Sequence, residues 1–526
     1  MNSDLIDNLV PESITFTDIE NAIKRLKPRS SPGPDLIPPY IFKGCVEFLK
    51  GPLQHILNLS LLSSHFPTKW KTAHISPIPK ANGNSKDIKN FRPIALLSTP
   101  AKIFETIIYE RILSHVKTII SPYQHGFLPG KSTVSNLSEF THDIATQLNN
   151  NFQVDVIFTD FTKAFDLVDH DILLSKLVSF NFSYGLRQFL ASYLSQRKHK
   201  IIYKGIVTDG FITSSGVPQG SNLGPLLFLL YVNDLPDVIT SSNKLMYADD
   251  LKIYKTICHI SDSIALQKDI TALSDWCQNN KFILNIRKCS LVSFTTKKNF
   301  DKFQYHIDNV PIERSDSVTD LGVTMNRYLS FNDHIHRIVN DSYRNLGFII
   351  RTASDFKNTD TLKVLFNSYV RSKLEYASII WHPDSKTQTQ MLERIQSRFL
   401  RYLTFKQTGL YPKFEKYTNL LLNFDSISLE NRRKIHLMLF LYKLLDNNID
   451  SDTLRSHINL HVPDTRTRPR SVVFHMQRAR SKILNESPIR KMCLLYNSLV
   501  EIDGHLDVNH LSQIEFHTTV KNLMKY

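Results

Sequence analysis

Two adjacent carboxylates are the residues of this chain best suited to chemistry. Asp249 and Asp250 follow Tyr247 and Ala248 between two short apolar segments, and this pattern predicts the tip of a tight hairpin. Neighbouring carboxylates repel each other, and a divalent cation neutralises such a pair. Because Asp-Asp is also an ordinary solvent-facing turn pair, the tetrapeptide alone leaves both interpretations open.

A third carboxylate stands at the end of a predicted strand. Residues 154–159 are rich in β-branched and aromatic side chains, which is typical of a buried strand, and Asp160 follows directly. If this strand end meets the hairpin tip, the carboxylates can hold two metal ions about 3.5 to 4 Å apart, as in-line phosphoryl displacement requires. We expect Asp160 and Asp249 to bind the ions directly, and Asp250 to be a weaker or more distant ligand.

Eight sequence blocks, in order, resemble the reverse transcriptases of non-LTR retrotransposons, in their LINE-type, jockey-like form. The resemblance implies an α+β right-hand polymerase with fingers, a palm of antiparallel sheet plus helices, and a helical thumb. The blocks are PRSSPGPDLIPPYIFK (28–43), SPIPKANGNSKDIKNFRPIALLSTPAKIFE (76–105), QHGFLPGKST (124–133), FTDFTKAFD (158–166), SSGVPQGSNLGPLLFLLYVNDL (214–235), YADD (247–250), KFILNIRKCSLVSF (281–294) and DLGVTMN (320–326).

The resemblance assigns nucleotide contacts to three residues. Phe165 stands where the family places a bulky side chain beneath the sugar of the incoming nucleotide, and a ring there would collide with a 2′-hydroxyl. Gln219 and Gly220 belong to a loop that lies under the template base and the nucleotide in the family. The alternatives are a core phenylalanine and a tight connection between a strand and a helix.

Cationic and hairpin residues complete the implied site. Lys80 and Arg92 flank a polar stretch in the first fingers block, where positive charge would hold a triphosphate, although Lys80 matches less well. Lys288 resembles the lysine that protonates departing pyrophosphate. Leu321 and Gly322 resemble the primer grip. The alternatives are surface cations for the three basic residues and an ordinary β-turn for the last two.

The chain divides by pattern into four predicted regions. Beyond Tyr328, apolar residues recur at helical spacing while Arg and Lys occupy other faces, as expected of a thumb that closes on a duplex or of a helical bundle with a solvated basic face. The predicted regions are an N-terminal extension (1–60), fingers and palm (61–325), a helical thumb (326–450) and a basic C-terminal tail (451–526).

Composition agrees with a nucleic-acid partner. A net charge of +15 suits a polyphosphate, although ribosomal and membrane-surface proteins share this property. The five cysteines are dispersed, with no CxxC pair and no histidines at the spacing of a zinc finger. They indicate reduced thiols and no structural zinc. Because a secretory signal and an apolar run of membrane-spanning length are both absent from the sequence, we expect an intracellular protein, in nucleus and cytoplasm, with no membrane partner.

We therefore expect an RNA-directed DNA polymerase that extends a DNA primer on an RNA template from deoxynucleoside triphosphates, with two Mg²⁺ ions or Mn²⁺ in their place. The competing hypothesis is a catalytically inactive retroelement remnant that binds nucleic acid. A group II intron-type maturase is disfavoured because the helical region resembles that of LINE-type enzymes. Since no endonuclease block precedes the polymerase blocks, we expect a truncated or domesticated copy or a partial gene model. The sequence does not predict the oligomeric state.

Overall fold

The computed structural model describes residues 13–28, 32–79, 87–383, 385–462, 472–476 and 478–524. In the first third lie α1 (Phe16–Arg25), α2 (Pro39–Gly44), α3 (Val46–Leu62), a 3-10 turn (Thr68–Lys71), β1 (Thr72–Pro79), a second 3-10 turn (Ile88–Asn90), β2 (Phe91–Leu96), α4 (Thr99–Val116) and α5 (Thr133–Asn149).

The middle of the chain carries most of the strands. Its elements are β3 (Gln153–Thr159), α6 (Ala164–Leu167), α7 (His170–Ser179), α8 (Tyr184–Leu194), β4 (Arg197–Tyr203), β5 (Ile206–Val207), β6 (Phe211–Thr213), α9 (Leu223–Tyr231), a 3-10 turn (Leu235–Val238), β7 (Asn243–Tyr247), β8 (Asp250–Ile257), α10 (Ile260–Asn279), β9 (Ser290–Phe294), β10 (His306–Ile307), β11 (Val310–Pro311), β12 (Glu313–Arg314), β13 (Ser317–Asp320) and β14 (Val323–Asn326).

The last part is mainly helical. It contains α11 (Asn332–Thr352), α12 (Thr359–Phe366), a π-helical turn (Asn367–Arg371), α13 (Ser372–Glu375), α14 (Ser378–Trp381), α15 (Lys386–Thr408), α16 (Tyr417–Asn423), α17 (Leu429–Leu445), α18 (Asp452–Ser456), β15 (Asn459–Leu460), β16 (Phe474–His475), α19 (Lys482–Asn485), α20 (Pro488–Ile502) and α21 (Gln513–Leu523).

A central sheet with the strand order β12-β9-β3-β8-β7 lies at the heart of the molecule. Its middle strand, β3, is antiparallel to both β8 and β9. Val154 and Val156 pack on one face of the sheet and Ile157 on the other, so β3 is covered on both sides. This double burial explains the nearly continuous run of apolar residues in β3. The end of β3, and with it Asp160, is thereby held in a fixed place.

A second sheet, which we call the outer sheet, has the order β2-β1-β4-β5, with β6 also paired to β4. Strand β1 is antiparallel to β2 and parallel to β4. Along the chain, α9 lies between β6 of the outer sheet and β7 of the central sheet, and eight of its nine residues are buried. Because α9 is apolar on all sides, it can only be an interior helix, and it packs against α4 and α7.

Two helical clusters follow the central sheet. In the first, α11 packs against β14 and α15 through an apolar face that contains Ile335, Ile338 and Leu346. In the second, α17 packs against α20 and α21 around a core that includes Met438 and Tyr496. The architecture is therefore a mixture of helices and sheets, as the α+β prediction required. None of the helices among the described residues combines the length and the apolar character needed to cross a bilayer.

Candidate active site

The Ala248-Asp249 turn joins β7 to β8, with Tyr247 paired to Asp250. Ala248 has a φ of 57°, in the left-handed region that alanine rarely occupies. Gln124, which is 3% exposed, stabilises this turn because its Oε1 accepts hydrogen bonds from the backbone N–H of Ala248 at 2.8 Å and of Gly126 at 2.7 Å. A Cβ at Gly126 would lie 2.4 Å from the Ala248 nitrogen, so only glycine allows this close approach.

Asp160 leaves the end of β3 beside the same turn. In the pairing of β3 with β8, Thr159 lies opposite Leu251. Asp160 and Asp250 therefore stand at the same end of the central sheet. The backbone carbonyl of Asp160 accepts a hydrogen bond from the Asn285 N–H at 2.8 Å. The Lys288 ammonium lies 3.1 Å from Asp160 Oδ2. The carboxylate is thus fixed from both its main chain and its side chain.

The charge of Asp160 acts on Asp249 and Asp250, and the charge of Asp249 acts on Asp250. Asp160 and Asp250 line a cavity of about 430 Å³ together with Lys288. Burial around the carboxyl, and then the charge of Asp249, raise the pKa of Asp250 to about 7, while the residue as a whole stays exposed to solvent. Burial also raises the pKa of Asp249, and the charge of Asp160 adds to this effect. The end of the sheet therefore concentrates negative charge that is incompletely compensated.

Carboxylate oxygens are the ligands that Mg²⁺ prefers, and the uncompensated charge at this end of the sheet is what a divalent cation would neutralise. The residues present therefore fit a divalent metal. Across the described residues, however, no group of three or more His, Cys, Asp or Glu side chains already stands at the spacing of metal ligands. The carboxylates are close enough for their charges to interact, but within the described residues they do not form a preformed set of metal ligands.

The β13–β14 hairpin borders this cavity and places Leu321 and Gly322 at its two-residue turn, both with positive φ. Tyr376 Oη donates a hydrogen bond to the Leu321 carbonyl at 2.8 Å, and Arg337 donates one to the Gly322 carbonyl at 2.8 Å. The hairpin is therefore attached to the helices that follow it. Its turn carbonyls are engaged by side chains, which an unsupported β-turn would not show.

A buried ion pair joins the same hairpin to β8. The Lys252 ammonium, on β8 two residues after Asp250, pairs with the Asp320 carboxylate at the end of β13. Both side chains are almost fully buried. Because an unpaired charge would be costly in this position, the pair fixes the distance between the two hairpins.

Phe165, Gln219 and Gly220 form a second group of candidate residues, joined by a hydrogen bond from the Val217 N–H to the Phe165 carbonyl at 2.9 Å. The ring of Phe165 stacks on Phe228 with a centroid distance of 4.3 Å and stays half-buried. Gln219 Nε2 donates a hydrogen bond to Asp166 Oδ1 at 2.8 Å. Gly220 has a φ of 105°, and a Cβ there would lie 2.8 Å from the Ala95 carbonyl oxygen. The loop is therefore packed tightly against β2.

The two predicted fingers cations have different outcomes. Arg92 is exposed on β2, and its charge is close enough to oppose the rise in the pKa of Asp249 that burial causes. Lys80 lies outside the described residues. Arg92 is thus a cation that faces the carboxylate end of the central sheet.

Sequence reasoning gave no role to Gln124, Lys252 or Asp166, which position the candidate site residues. Gln124 was visible as the first residue of the QHGF block, but its hydrogen bond to Ala248 spans 124 positions of the chain. Lys252 carried a signal of its own, because a lysine interrupts an otherwise apolar strand directly after the Asp-Asp pair. Such a residue requires a buried partner, which here is Asp320.

Comparison with known families agrees with this geometry. The family model described as reverse transcriptase (RNA-dependent DNA polymerase) matches residues 78–350. This range contains Asp160, the Asp249–Asp250 pair and the β13–β14 hairpin. The chain belongs to the reverse transcriptase family.

The most similar proteins found include polymerases of non-LTR elements. A probable RNA-directed DNA polymerase from transposon BS of Drosophila melanogaster is 29% identical over 412 residues, covering 74% of this chain and 44% of the relative. The RNA-directed DNA polymerase from mobile element jockey of Drosophila funebris is 26% identical over 410 residues, covering 75% and 44%. The chain thus spans less than half the length of these relatives. The predicted resemblance to jockey-like elements is confirmed.

Proposed function

We propose that this chain is an RNA-directed DNA polymerase that adds deoxynucleotides to a primer 3′-hydroxyl. The observation that carries this proposal is the register of the central sheet, which brings Asp160 and the Asp249–Asp250 turn to one end, where burial and mutual repulsion raise carboxylate pKa values. Membership of the reverse transcriptase family supports the same activity.

Asp160 and Asp249 would hold two Mg²⁺ ions, or Mn²⁺, with Asp250 as the weaker ligand. When bound, such ions lower the pKa of the attacking hydroxyl and stabilise charge on the leaving pyrophosphate. In the reaction, the primer oxygen forms a bond to the α-phosphorus while the bond to pyrophosphate breaks. Arg92 would hold the triphosphate, and Lys80 would assist it. Lys288, whose ammonium lies 3.1 Å from Asp160 Oδ2, would give a proton to pyrophosphate.

Substrate selection would rest on residues beside Asp160. The stacking of Phe165 on Phe228 keeps its ring from moving aside, so a ribonucleotide 2′-hydroxyl would meet a fixed wall. Gln219 and Gly220 would support the nucleotide and the template base. Leu321 and Gly322 would hold the primer end, with their turn fixed by Tyr376.

In right-hand terms, the central sheet would be the palm, the outer sheet the fingers and the helices from α11 the thumb. The division at residues 60, 325 and 450 is proposed with it, the last segment being a basic C-terminal region. The partners would be an RNA template, a DNA primer and deoxynucleoside triphosphates, in an intracellular setting that includes the nucleus. This assignment is supported by the packing of α11 against β14 and α15, and by the hydrogen bond from Arg337 on α11 to the Gly322 carbonyl in the β13–β14 hairpin.

Primer extension on an RNA template with Mg²⁺ tests the proposal. Asp249→Asn should lower the rate of nucleotide addition at least about 100-fold, because a charged ligand at the reacting phosphate is lost. Asp275→Asn, on the exposed face of α10, is the matched control and should leave the rate unchanged. Extension that persists in Asp249→Asn would overturn the assignment. Tight, salt-sensitive RNA binding without any extension by the unmodified protein would instead favour the nucleic-acid-binding remnant.

A further inference from the structure

A cavity of about 400 Å³, which we call the helix-start cavity, lies where three long helices begin. Its lining includes Asn332 from the first turn of α11, Gln388 from that of α15 and Pro488 from that of α20. These helices are 21, 23 and 15 residues long. Because the N-terminus of a helix carries partial positive charge and N–H groups without intrahelical partners, three helix starts around one cavity favour an anion.

The side chains at the N-cap positions leave these helix starts open. The N-cap residues are Phe331 in α11, Ser385 in α15 and Ser487 in α20, and all three line the cavity. Within the described part of the chain, none of these three side chains makes a capping hydrogen bond. By contrast, the Ser428 hydroxyl at the start of α17 accepts a hydrogen bond from the Asn431 N–H. A serine N-cap ordinarily does so, and Ser487 departs from this rule.

Ser487 is the buried polar group of the helix-start cavity. It is 3% exposed, and its Oγ has no hydrogen-bond partner among the residues that the structure describes. A buried hydroxyl is costly without a partner, so a ligand oxygen that accepts its hydrogen bond would be bound favourably. The same oxygen would lie beside the N–H groups in the first turn of α20, which prefer a negatively charged acceptor.

Charged side chains of the cavity add to this preference. Lys491 follows Ser487 by one turn of α20, and its ammonium donates a hydrogen bond to the His382 carbonyl at 2.6 Å. Lys482 pairs with Glu486 at 3.1 Å. The described lining thus contains two lysines and one carboxylate. One positive charge remains in excess, and it acts in the same direction as the helix starts.

The remainder of the lining is largely apolar. It includes Leu329, Ile335, Ile380, Trp381 and Ile483. The indole N–H of Trp381 donates a hydrogen bond to the Tyr376 carbonyl at 2.8 Å, so the ring offers the cavity only its apolar surface. An inorganic anion would leave this wall uncovered, whereas an anion joined to a flat organic group would cover it.

We propose that the helix-start cavity binds a phosphate monoester, with its phosphate at Ser487 and the start of α20 and its organic part against Trp381. A nucleoside monophosphate has this chemistry, and the cavity volume lies in the range of small-molecule sites. The shared chemistry is phosphate binding, which free inorganic phosphate could also provide, and the experiment separates the two sources. The proposal goes beyond the polymerase function, since the described lining contains none of the three candidate aspartates.

Calorimetric titration of the full chain tests the proposal. The probes are adenosine 5′-monophosphate (AMP), adenosine and inorganic phosphate, each in chloride buffer of equal ionic strength with EDTA, which removes divalent metal from the candidate active site. AMP should bind at least about ten-fold more tightly than adenosine, because adenosine lacks the charged group. It should also bind at least about ten-fold more tightly than inorganic phosphate, which leaves the apolar wall uncovered.

Variants at Ser487 locate the bound AMP. Ser487→Ala should weaken AMP binding about ten-fold, because a hydrogen bond to a charged phosphate is lost. Ser342→Ala is the matched control, since the Ser342 hydroxyl on α11 is also buried without a partner among the described residues but lies outside the described lining. Ser487→Asp places a carboxylate at the start of α20, so it should raise the Tm without ligand and abolish AMP binding.

Several results would overturn the proposal. Failure of AMP to bind the unmodified protein excludes the site, whatever the folding of the variants. Equal affinity for adenosine and AMP would exclude an anion site, and equal affinity for inorganic phosphate and AMP would assign the cavity to free phosphate. AMP binding that is unchanged in both Ser487→Ala and Ser487→Asp would place the nucleotide elsewhere on the protein.

Discussion

At the scale of single residues, the chemistry depends on carboxylates whose charge the fold leaves partly unbalanced. Asp250 illustrates this most clearly, because burial and the charge of Asp249 raise its pKa from 3.8 to about 7. A metal ion competes with protons for such a group. The acid-base state of this turn should therefore determine how tightly the site takes up Mg²⁺.

We expect the Mg²⁺ concentration for half-maximal extension to fall as pH rises from 6 to 8. Asp250→Asn should flatten this dependence, because it removes the proton that the metal displaces.

Without metal, the folded form retains the proton of Asp250 up to about pH 7, while the unfolded form loses it near pH 3.8. The stability of the fold should therefore decline with rising pH across this window. Asp250→Asn should therefore raise the Tm at pH 8 in EDTA. An unchanged Tm at pH 8, with Asp275→Asn as reference, would contradict the assignment.

Phe165 provides the second prediction at this scale. Phe165→Val should raise the use of ribonucleotides relative to deoxynucleotides by about 10-fold or more, the range that one badly fitting group accounts for in a pocket. The measurement is the ratio of kcat/KM for dCTP and CTP on one template. Phe152→Val removes an exposed ring from the start of β3 and should leave the ratio unchanged. A ratio unaffected by Phe165→Val would show that the ring belongs to the core alone.

At the scale of elements, the β7–β8 turn that carries Asp249 is supported by segments far away in sequence. Behind β7, the backbone N–H of His125 donates a hydrogen bond to the Met246 carbonyl at 2.9 Å. The Nε2 atom of the His125 ring lies 3.6 Å from Glu139 Oε2 on α5. Burial lowers the pKa of His125, so the ring is neutral. The Ser451 hydroxyl at the start of α18 donates to the other oxygen of Glu139. The C-terminal region thereby reaches the back of the β7–β8 hairpin.

Ser451→Ala should loosen this hairpin, because the buried Glu139 loses a donor, at a cost of about 1 to 3 kcal/mol. We expect faster hydrogen exchange in residues 243–250 and a lower kcat, with the Kd for primer-template within about two-fold of the unmodified value. Ser456→Ala, on the exposed side of α18, is the control. Ser451→Thr should restore kcat, since the hydroxyl returns. Equal acceleration of exchange across the whole chain would reveal general destabilisation instead of positioning.

At the scale of the whole molecule, α5 is the element around which the structure is organised. It contacts β3 and β7 of the central sheet as well as α14, α18, α19 and α20. Helical clusters that are distant in sequence therefore share one support with the strands of the central sheet. A change in the C-terminal region can thus reach the carboxylates without touching them.

The net charge of +15 also acts at this scale. If six to ten phosphates are contacted, affinity for a primer-template should fall by about 10³ to 10⁵ between 50 and 200 mM salt. Asp249→Asn should show the same slope, because counterion release depends on the basic surface and not on the metal ligands. Affinity that is insensitive to salt would contradict a broad electrostatic interface.

The sequence by itself indicated the proposed chemistry and the order of the parts that would carry it. Asp160 at the end of an apolar strand and Asp249–Asp250 between two apolar segments are local patterns, and the hydrophobic periods of β3 and α9 follow from short-range sequence. The mixed helical and sheet fold and the reverse transcriptase family were both predictable on this basis. The four region boundaries and the roles of all the candidate site residues, the three aspartates included, stay predictions.

Only the tertiary structure decided which residues support that chemistry. Gln124 beneath the Ala248 turn, Lys252 against Asp320, and Ser451 behind Glu139 are contacts between residues 68 to 312 positions apart. Arg197 gave no signal, since an arginine in a sequence is a surface cation by default, and only the packing shows that it is buried with two donors unpaired. Such partnerships depend on how whole elements pack, and packing is set by the complete chain.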